Sequence, residues 1–209
     1  MIYQYRDRAP FGLLMVRAMH QLEELDEFVQ LATDASKSRQ ESIRARATDE
    51  SWEWLYDDYV GLSRMAELAA ELAIVGMWRT VEDFRRLALI QCDVLGAKRK
   101  AYRKKFVDGE LGKLGIVESR LRCARTVDEL RCLNNSIKHS RKVGSELADF
   151  RRWKEGEKID DLAPHYRRLR KVVEPYLADL GNRLTRRWRH LSNKRLQRTP
   201  LRGASEQQS

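Results

Sequence analysis

LAAELAIVGMWRTVEDFRRLALI, residues 68–90, carries two apolar stripes at helical spacing: Leu68, Leu72 and Val75 on one side, and Ile74, Met77, Val81, Phe84 and Ala88 on another. The period is 3.6 rather than the 2 of a half-buried strand. A helix that is apolar on two faces is packed by neighbours on both, so this segment is the centre of a helical bundle. Gly76 lies inside it, where Gly costs about 1 kcal/mol relative to Ala; a close helix–helix contact accounts for it. The pattern extends from Ser51 to Leu95, as one long helix or two broken near Gly61, and ends at Gly96.

The flanking sequence agrees. The four prolines are Pro10, Pro164, Pro175 and Pro200, so none falls in 11–163, where it would break a helix. Leu14, Ala18, Leu22, Leu25, Val29 and Ala32 predict a first helix from Phe11 to about Ala35. The polar run 34–50 predicts a loop or an exposed, frayed helix end, with Thr48 or Asp49 capping the next helix. Leu111, Leu114, Ile116 and Val117 suggest a short packed helix or turn. Thr126 with Glu129 three residues on reads as a capping box, opening a helix that runs to about His139. Residues 144–163 read as irregular. The last helices start near Asp160 or Asp161, run Pro164 to Val173, and continue past a kink or break at Pro175. The fold class expected is all-α: a short extension over 1–10, a single helical domain over 11–190, and a basic, disordered tail over 191–209.

Charge is unevenly spread. Of a net +10, most lies in residues 183–209, where Arg183, Arg186, Arg187, Arg189, Lys194, Arg195, Arg198 and Arg202 face Glu206 alone. A second basic run holds Lys98, Arg99, Lys100, Arg103 and Lys104 around Tyr102. Such runs attract nucleic acid or acidic lipid by counterion release, or remain solvated. No apolar run reaches the ~20 residues that span a membrane, and Met1 to Pro10 is not a secretory leader. Cys92, Cys123 and Cys132 form no CxxC pair and there are only four His, which argues against a disulfide framework and a structural zinc site. The expectation is a cytoplasmic protein with reduced thiols, no metal and no cofactor. GxGxxG, P-loop, GxSxG and HExxH motifs are missing, so nucleotide-dependent and common hydrolase chemistries are not indicated.

One helix concentrates the polar chemistry. In TVDELRCLNNSIKHS, residues 126–140, Val127, Leu130, Leu133 and Ile137 share an anchoring face. Arg131, Asn135 and His139 recur at four-residue spacing along an adjoining flank, with Lys138 on the same side and Asn134 at the edge of the buried face. His139 titrates near neutrality, Lys138 and Arg131 could hold a phosphate, and Asn135 could orient His139 or touch that phosphate. The plainer alternative is that Asn and His cap a helix end and that Lys138 and His139 complement its dipole. Glu71 and Glu82, three turns apart beside Trp78, are expected to support this helix by ion pairing with Arg131 or Lys138.

The run Asn134-Asn135-Ser136-Ile137-Lys138-His139, closing a helix in an all-helical domain, resembles the signature of the HEPN superfamily. The helix ELAIVGMWRTVEDFRR (Glu71–Arg86) resembles the early helix of those bundles. With WKEGEKIDDL (Trp153–Leu162), the two also resemble bacterial proteins of similar length. The resemblance covers about residues 65–190. It implies a helical bundle, often dimeric, that acts on or binds RNA, in many members as a metal-independent ribonuclease of defence or toxin–antitoxin systems with a cognate protein partner. His139 takes the family's His position and Asn135 its polar position. Asn134 falls where the family has Arg, with Arg131 one turn earlier. Two function classes follow: an RNA-directed module, with or without cleavage, or a non-catalytic interaction or scaffold domain.

Overall fold

The computed structural model describes residues 11–47, 52–92 and 104–198. Among them are six α-helices and no strand: α1 (Phe11–Arg46), α2 (Trp52–Gln91), α3 (Lys104–Lys113), α4 (Ala124–His139), α5 (Ser145–Ala148) and α6 (Leu162–Arg198). A 3-10 turn at Glu118–Arg120 precedes α4. An isolated bridge, Lys142 to Lys158, closes the segment between α4 and α6.

The all-α reading holds, and α2 is its centre. Ala70, Ala73, Ile74, Met77, Val81, Phe84, Ala88 and Leu89 are buried against α1, α4 and α6. Gly76 sits where α1 comes closest: a Cβ there would lie 2.8 Å from Leu25 Cδ2. That close approach is the reason expected for a helical glycine.

Helices run longer than their sequence punctuation suggests. α1 does not fray at Ala35. Met15, Leu22, Val29, Ser36 and Ile43, spaced by sevens, are all buried and carry it to Arg46. Along its later turns Ser36 Oγ donates to the Leu62 carbonyl (2.8 Å) and Gln40 Nε2 to Ser63 Oγ (2.7 Å). α2 passes Gly61 unbroken and α6 passes Pro175 unbroken. Around Pro175 the buried Val173, Tyr176, Leu177 and Leu180 hold the helix from both sides, and packing outweighs the single backbone bond that proline removes. The tail expected to be disordered from residue 191 instead continues α6 to Arg198. Once a helix is nucleated, each added residue gains one bond. The expected extension over 1–10 and the rest of the tail, 199–209, lie outside the described residues, as do Thr48 and Asp49.

Two predicted caps are replaced. α4 starts at Ala124, not after Thr126, and its N-cap is Cys123 in the left-handed region (φ 61°) with no side-chain cap bond. Glu129 is therefore free of capping and turns into the core. At the start of α6 the backbone N–H of Leu162 donates to Glu67 of α2 (3.0 and 3.1 Å) rather than to Asp160 or Asp161. α6 is also fixed to α1, where Tyr166 and Arg170 donate to Asp26 at 2.6 and 2.9 Å.

Candidate nucleic-acid interface

α4 lies on α6 in antiparallel sense. Its start is held near residue 179, where the Arg122 N–H donates to Asp179 (2.9 Å), and its middle near residue 168. Val127, Leu130, Leu133 and Ile137 are buried, as their spacing requires. Glu129 is buried too. It accepts from Trp153 Nε1 at 2.8 Å and from Arg168 at 2.5 and 3.0 Å, a bidentate pair that ties α4 to α6 and to the loop between them. His165 stacks on Trp153 with centroids 4.3 Å apart. Burial, and then the neighbouring Arg168 charge, holds the imidazole below its ordinary pKa.

The C-terminal half of α4 carries the residues singled out in the sequence. Asn135, Lys138 and His139 are exposed. Arg131 is not available to them. It donates to Asp128 at 2.7 Å and Glu146 at 2.9 Å, and its side chain is 18% exposed. Asn134 is fully buried; its Nδ2 reaches Asn135 Oδ1 at 3.3 Å, and its own Oδ1 has no hydrogen-bond partner among the described residues. The pairing expected for Glu71 with Arg131 or Lys138 does not form. Glu71 meets Arg141 at 2.7 Å instead, because Arg141 (φ 52°) turns the chain back over α2. Glu82 is half-buried on α2 and forms no ion pair among the described residues.

A second polar centre, not foreseen from the sequence, lies at the other end of α4. Arg85 of α2 is buried and donates to Asp108 (2.6 Å) and Glu118 (3.0 Å); Lys104 donates to the same two carboxylates at 2.8 and 3.4 Å. The fully buried Tyr176 donates its hydroxyl to Glu118 at 2.8 Å. Burial pushes the Glu118 carboxyl above its usual range. Burial acts upward on Asp108 as well, but hydrogen bonds with Glu118 and Lys104 and the charge of Arg85 hold it below. The chemistry is a neutralised cluster, two cations against two carboxyl groups, that locks α2, α3, the 3-10 turn and α6 together.

This cluster floors an open cavity of about 690 Å³, lined among others by Lys104, Glu118, Ser119, Arg125 and Asp128. The acids around it are already engaged: Asp108 and Glu118 by Arg85, Asp128 by Arg131, and Asp179 by Arg183 at 3.0 Å. Arg120, Arg122, Arg125 and Arg186 are exposed, and their guanidinium groups make no hydrogen bond or ion pair among the described residues. Three of them gather about Asp179: Arg122 bonds it through its backbone, Arg120 gives its carbonyl to Arg183 (2.9 Å), and Arg186 helps hold the Asp179 carboxyl low. The N-terminus of α4, which follows Arg120 and Arg122 in the chain and precedes Arg125, has no side-chain cap and carries a positive partial charge.

Of the cations expected to bind nucleic acid, Lys98, Arg99, Lys100 and Arg103 lie outside the described residues. Lys104 lines the cavity, Arg186 and Arg189 are exposed on α6, and Arg187 is half-buried. Arg120, Arg122 and Arg125 were not anticipated. The signal was there in ESRLRCARTVDELR, where Arg120, Arg122, Arg125 and Arg131 recur at spacings of two, three and six, but nothing in the sequence marks which of them lose their charge to an acid. Cys92 and Cys132 are buried, and burial pushes their thiols up to about 11 and about 12. Among the described residues no helix is long and apolar enough to cross a membrane. No known family model matches the chain, and neither the curated proteins nor the solved structures give a match.

Proposed function

We propose that this chain is a HEPN-like helical module that binds RNA through its phosphate backbone at the end of the bundle where α4 begins, and that it does not cleave RNA at His139. The observation that carries this reading is the charge balance at that end: Asp108, Glu118, Asp128 and Asp179 are each paired to a cation, while the guanidinium groups of Arg120, Arg122, Arg125 and Arg186 make no ion pair among the described residues. Arginines on α4, on α6 and on the turns just before α4, beside a positive helix N-terminus, suit phosphate oxygens. The argument against cleavage is equally local. Phosphoryl chemistry at His139 needs cations to offset charge in the transition state, and of the two expected to supply them Arg131 is neutralised by Asp128 and Glu146, which leaves the solvated Lys138 alone.

The test is binding of single-stranded RNA by the full chain across a salt series, with metal-free cleavage followed in parallel. Binding that weakens with salt, and whose log–log slope becomes shallower by about 0.7 for each arginine replaced among Arg120, Arg122, Arg125 and Arg186, is the expected result. Binding indifferent to all four and lost only when Lys194, Arg195, Arg198 and Arg202 are replaced would move the activity to the tail. Cleavage that disappears in His139→Ala would overturn the non-catalytic reading.

A further inference from the structure

The cavity beside the start of α4 is larger than a phosphate lying on a surface needs. At about 690 Å³ it has the size of a small-molecule site, roughly 300–1,000 Å³. Its lining has two parts. One is an apolar wall of Ile116, Val117 and Ala124, and Val117 is 47% exposed, so apolar surface is available there. Gly112 of α3 completes this wall. A Cβ on it would meet no atom within 4 Å, and its φ lies outside the left-handed region, so neither packing nor backbone geometry calls for glycine. Its missing side chain leaves the cavity open. The other part is polar and holds one unspent group of each charge. The guanidinium of Arg125 makes no hydrogen bond or ion pair among the described residues. Asp128 spends Oδ1 on Arg131 at 2.7 Å, and its Oδ2 accepts no hydrogen bond among the described residues. Arg125 and Asp128 are three residues apart on α4 and so share a face, but Asp128 pairs with Arg131 instead.

This lining selects its occupant by charge. An organic anion satisfies Arg125 but meets the spare oxygen of Asp128, and an organic cation does the reverse. A zwitterion satisfies both and adds no net charge beside Asp108 and Glu118, which Arg85 and Lys104 already hold. We propose that the cavity binds a free α-amino acid with a large apolar side chain. Its carboxylate meets Arg125, its ammonium meets Asp128 Oδ2, and its side chain lies on the wall of Ile116, Val117 and Ala124. Both polar contacts are hydrogen bonds between ions, the stronger kind, and the wall adds the burial of apolar area. The site stands apart from the RNA reading: of the four arginines assigned there, Arg125 alone lines the cavity.

The experiment is calorimetric titration of the full chain with L-phenylalanine and L-leucine. N-acetyl-L-phenylalanine, which lacks the ammonium, and L-phenylalanine amide, which lacks the carboxylate, are titrated beside them. Arg125→Met and Gly112→Leu are the variants, with helicity and thermal midpoint recorded for each. Arg125 is exposed, and Gly112→Leu adds a side chain where a Cβ meets no protein atom and raises helix propensity, so both variants keep the fold. The expected result is binding of both amino acids by the wild type. Either blocked derivative, and Arg125→Met, should weaken it by about tenfold or more, the loss of a hydrogen bond to a charged group, and Gly112→Leu should abolish it by filling the cavity. No binding of either amino acid at ~10 mM, where a millimolar site is filled, overturns the proposal. Binding that is equal for the blocked derivatives, or unchanged in the folded Gly112→Leu variant, overturns it as well. None of these outcomes bears on RNA binding, which Arg120, Arg122 and Arg186 test from outside the cavity lining.

Discussion

The two ends of α4 solve opposite problems with similar residues. At its C-terminal end Arg131 is surrounded by acids, and Asn135, Lys138 and His139 stand in solvent beside it. At its N-terminal end the acids are drawn inward by Arg85 and Tyr176, and the arginines stand in solvent. A cation's usefulness to a ligand depends on whether its charge is already spent on a neighbour. By that criterion Arg131 is the quietest cation on α4.

The largest effect expected is on the inward-drawn acids. Arg85→Ala leaves Glu118 and Asp108 with Lys104 as their sole nearby cation and should destabilise the fold by about 3–5 kcal/mol, read as a lower midpoint in urea unfolding. If the loss is under about 1 kcal/mol, in the range of an exposed surface pair, the cluster does not hold that end together. The next effect concerns binding. Arg122→Glu with Arg125→Glu should weaken RNA affinity by about tenfold to a hundredfold in low salt, while Lys138→Ala with His139→Ala should change it by less than about threefold. The reverse order would assign the interface to the motif end and erase the contrast.

A pH effect follows from the stack of His165 on Trp153. The folded imidazole binds a proton less readily than its ordinary value of 6.5 because it is buried and sits near Arg168. On acidification the unfolded chain therefore takes up that proton first. Unfolded protein binds more protons in this window, so stability rises with pH and is lost as pH falls below about 6.5. Unfolding free energies measured from pH 7.5 to 5.5 should show this slope, and His165→Gln should flatten it. The smallest effect is expected at Asn134. Its Oδ1 is buried without a hydrogen-bond partner among the described residues, so Asn134→Leu should be close to neutral in stability, because it removes an unmet polar group from a well-packed position. A loss of several kcal/mol would show that Asn134 holds the helix end by bonds not apparent in its geometry.

The helices were legible in the sequence because periodicity and proline placement report on local structure. The stripe of Ile74, Met77, Val81, Phe84 and Ala88 placed α2 at the centre, and Gly76 signalled the close approach of α1; the stripe of Leu68, Leu72 and Val75, expected to be packed as well, instead leaves Leu68 and Leu72 half exposed. Helix lengths were less legible. Ser36 in a polar run and Pro175 in α6 look like stops, and both are overridden by burial on partners far along the chain. The candidate site was the least legible part. Arg85 with Glu118, and Glu129 with Arg168, join residues 33 and 39 positions apart. Nothing in a list of charges says which will find each other, and therefore which remain free.

The bond between Asp26 and Tyr166 spans 140 residues, and this imposes an order on biosynthesis. The α1–α2 hairpin emerges from the ribosome with Phe11, Met15, Ala18 and Leu22 complete but with the helix that covers them not yet made. At ~5–20 residues per second, the wait between the end of α2 and the emergence of Leu177 and Leu180 lasts several seconds. During that interval the nascent chain presents an oily surface on the side destined for α6. A chaperone that samples nascent chains would meet this protein at that stage, and a stall before residue 162 would leave a hairpin with nothing to close it.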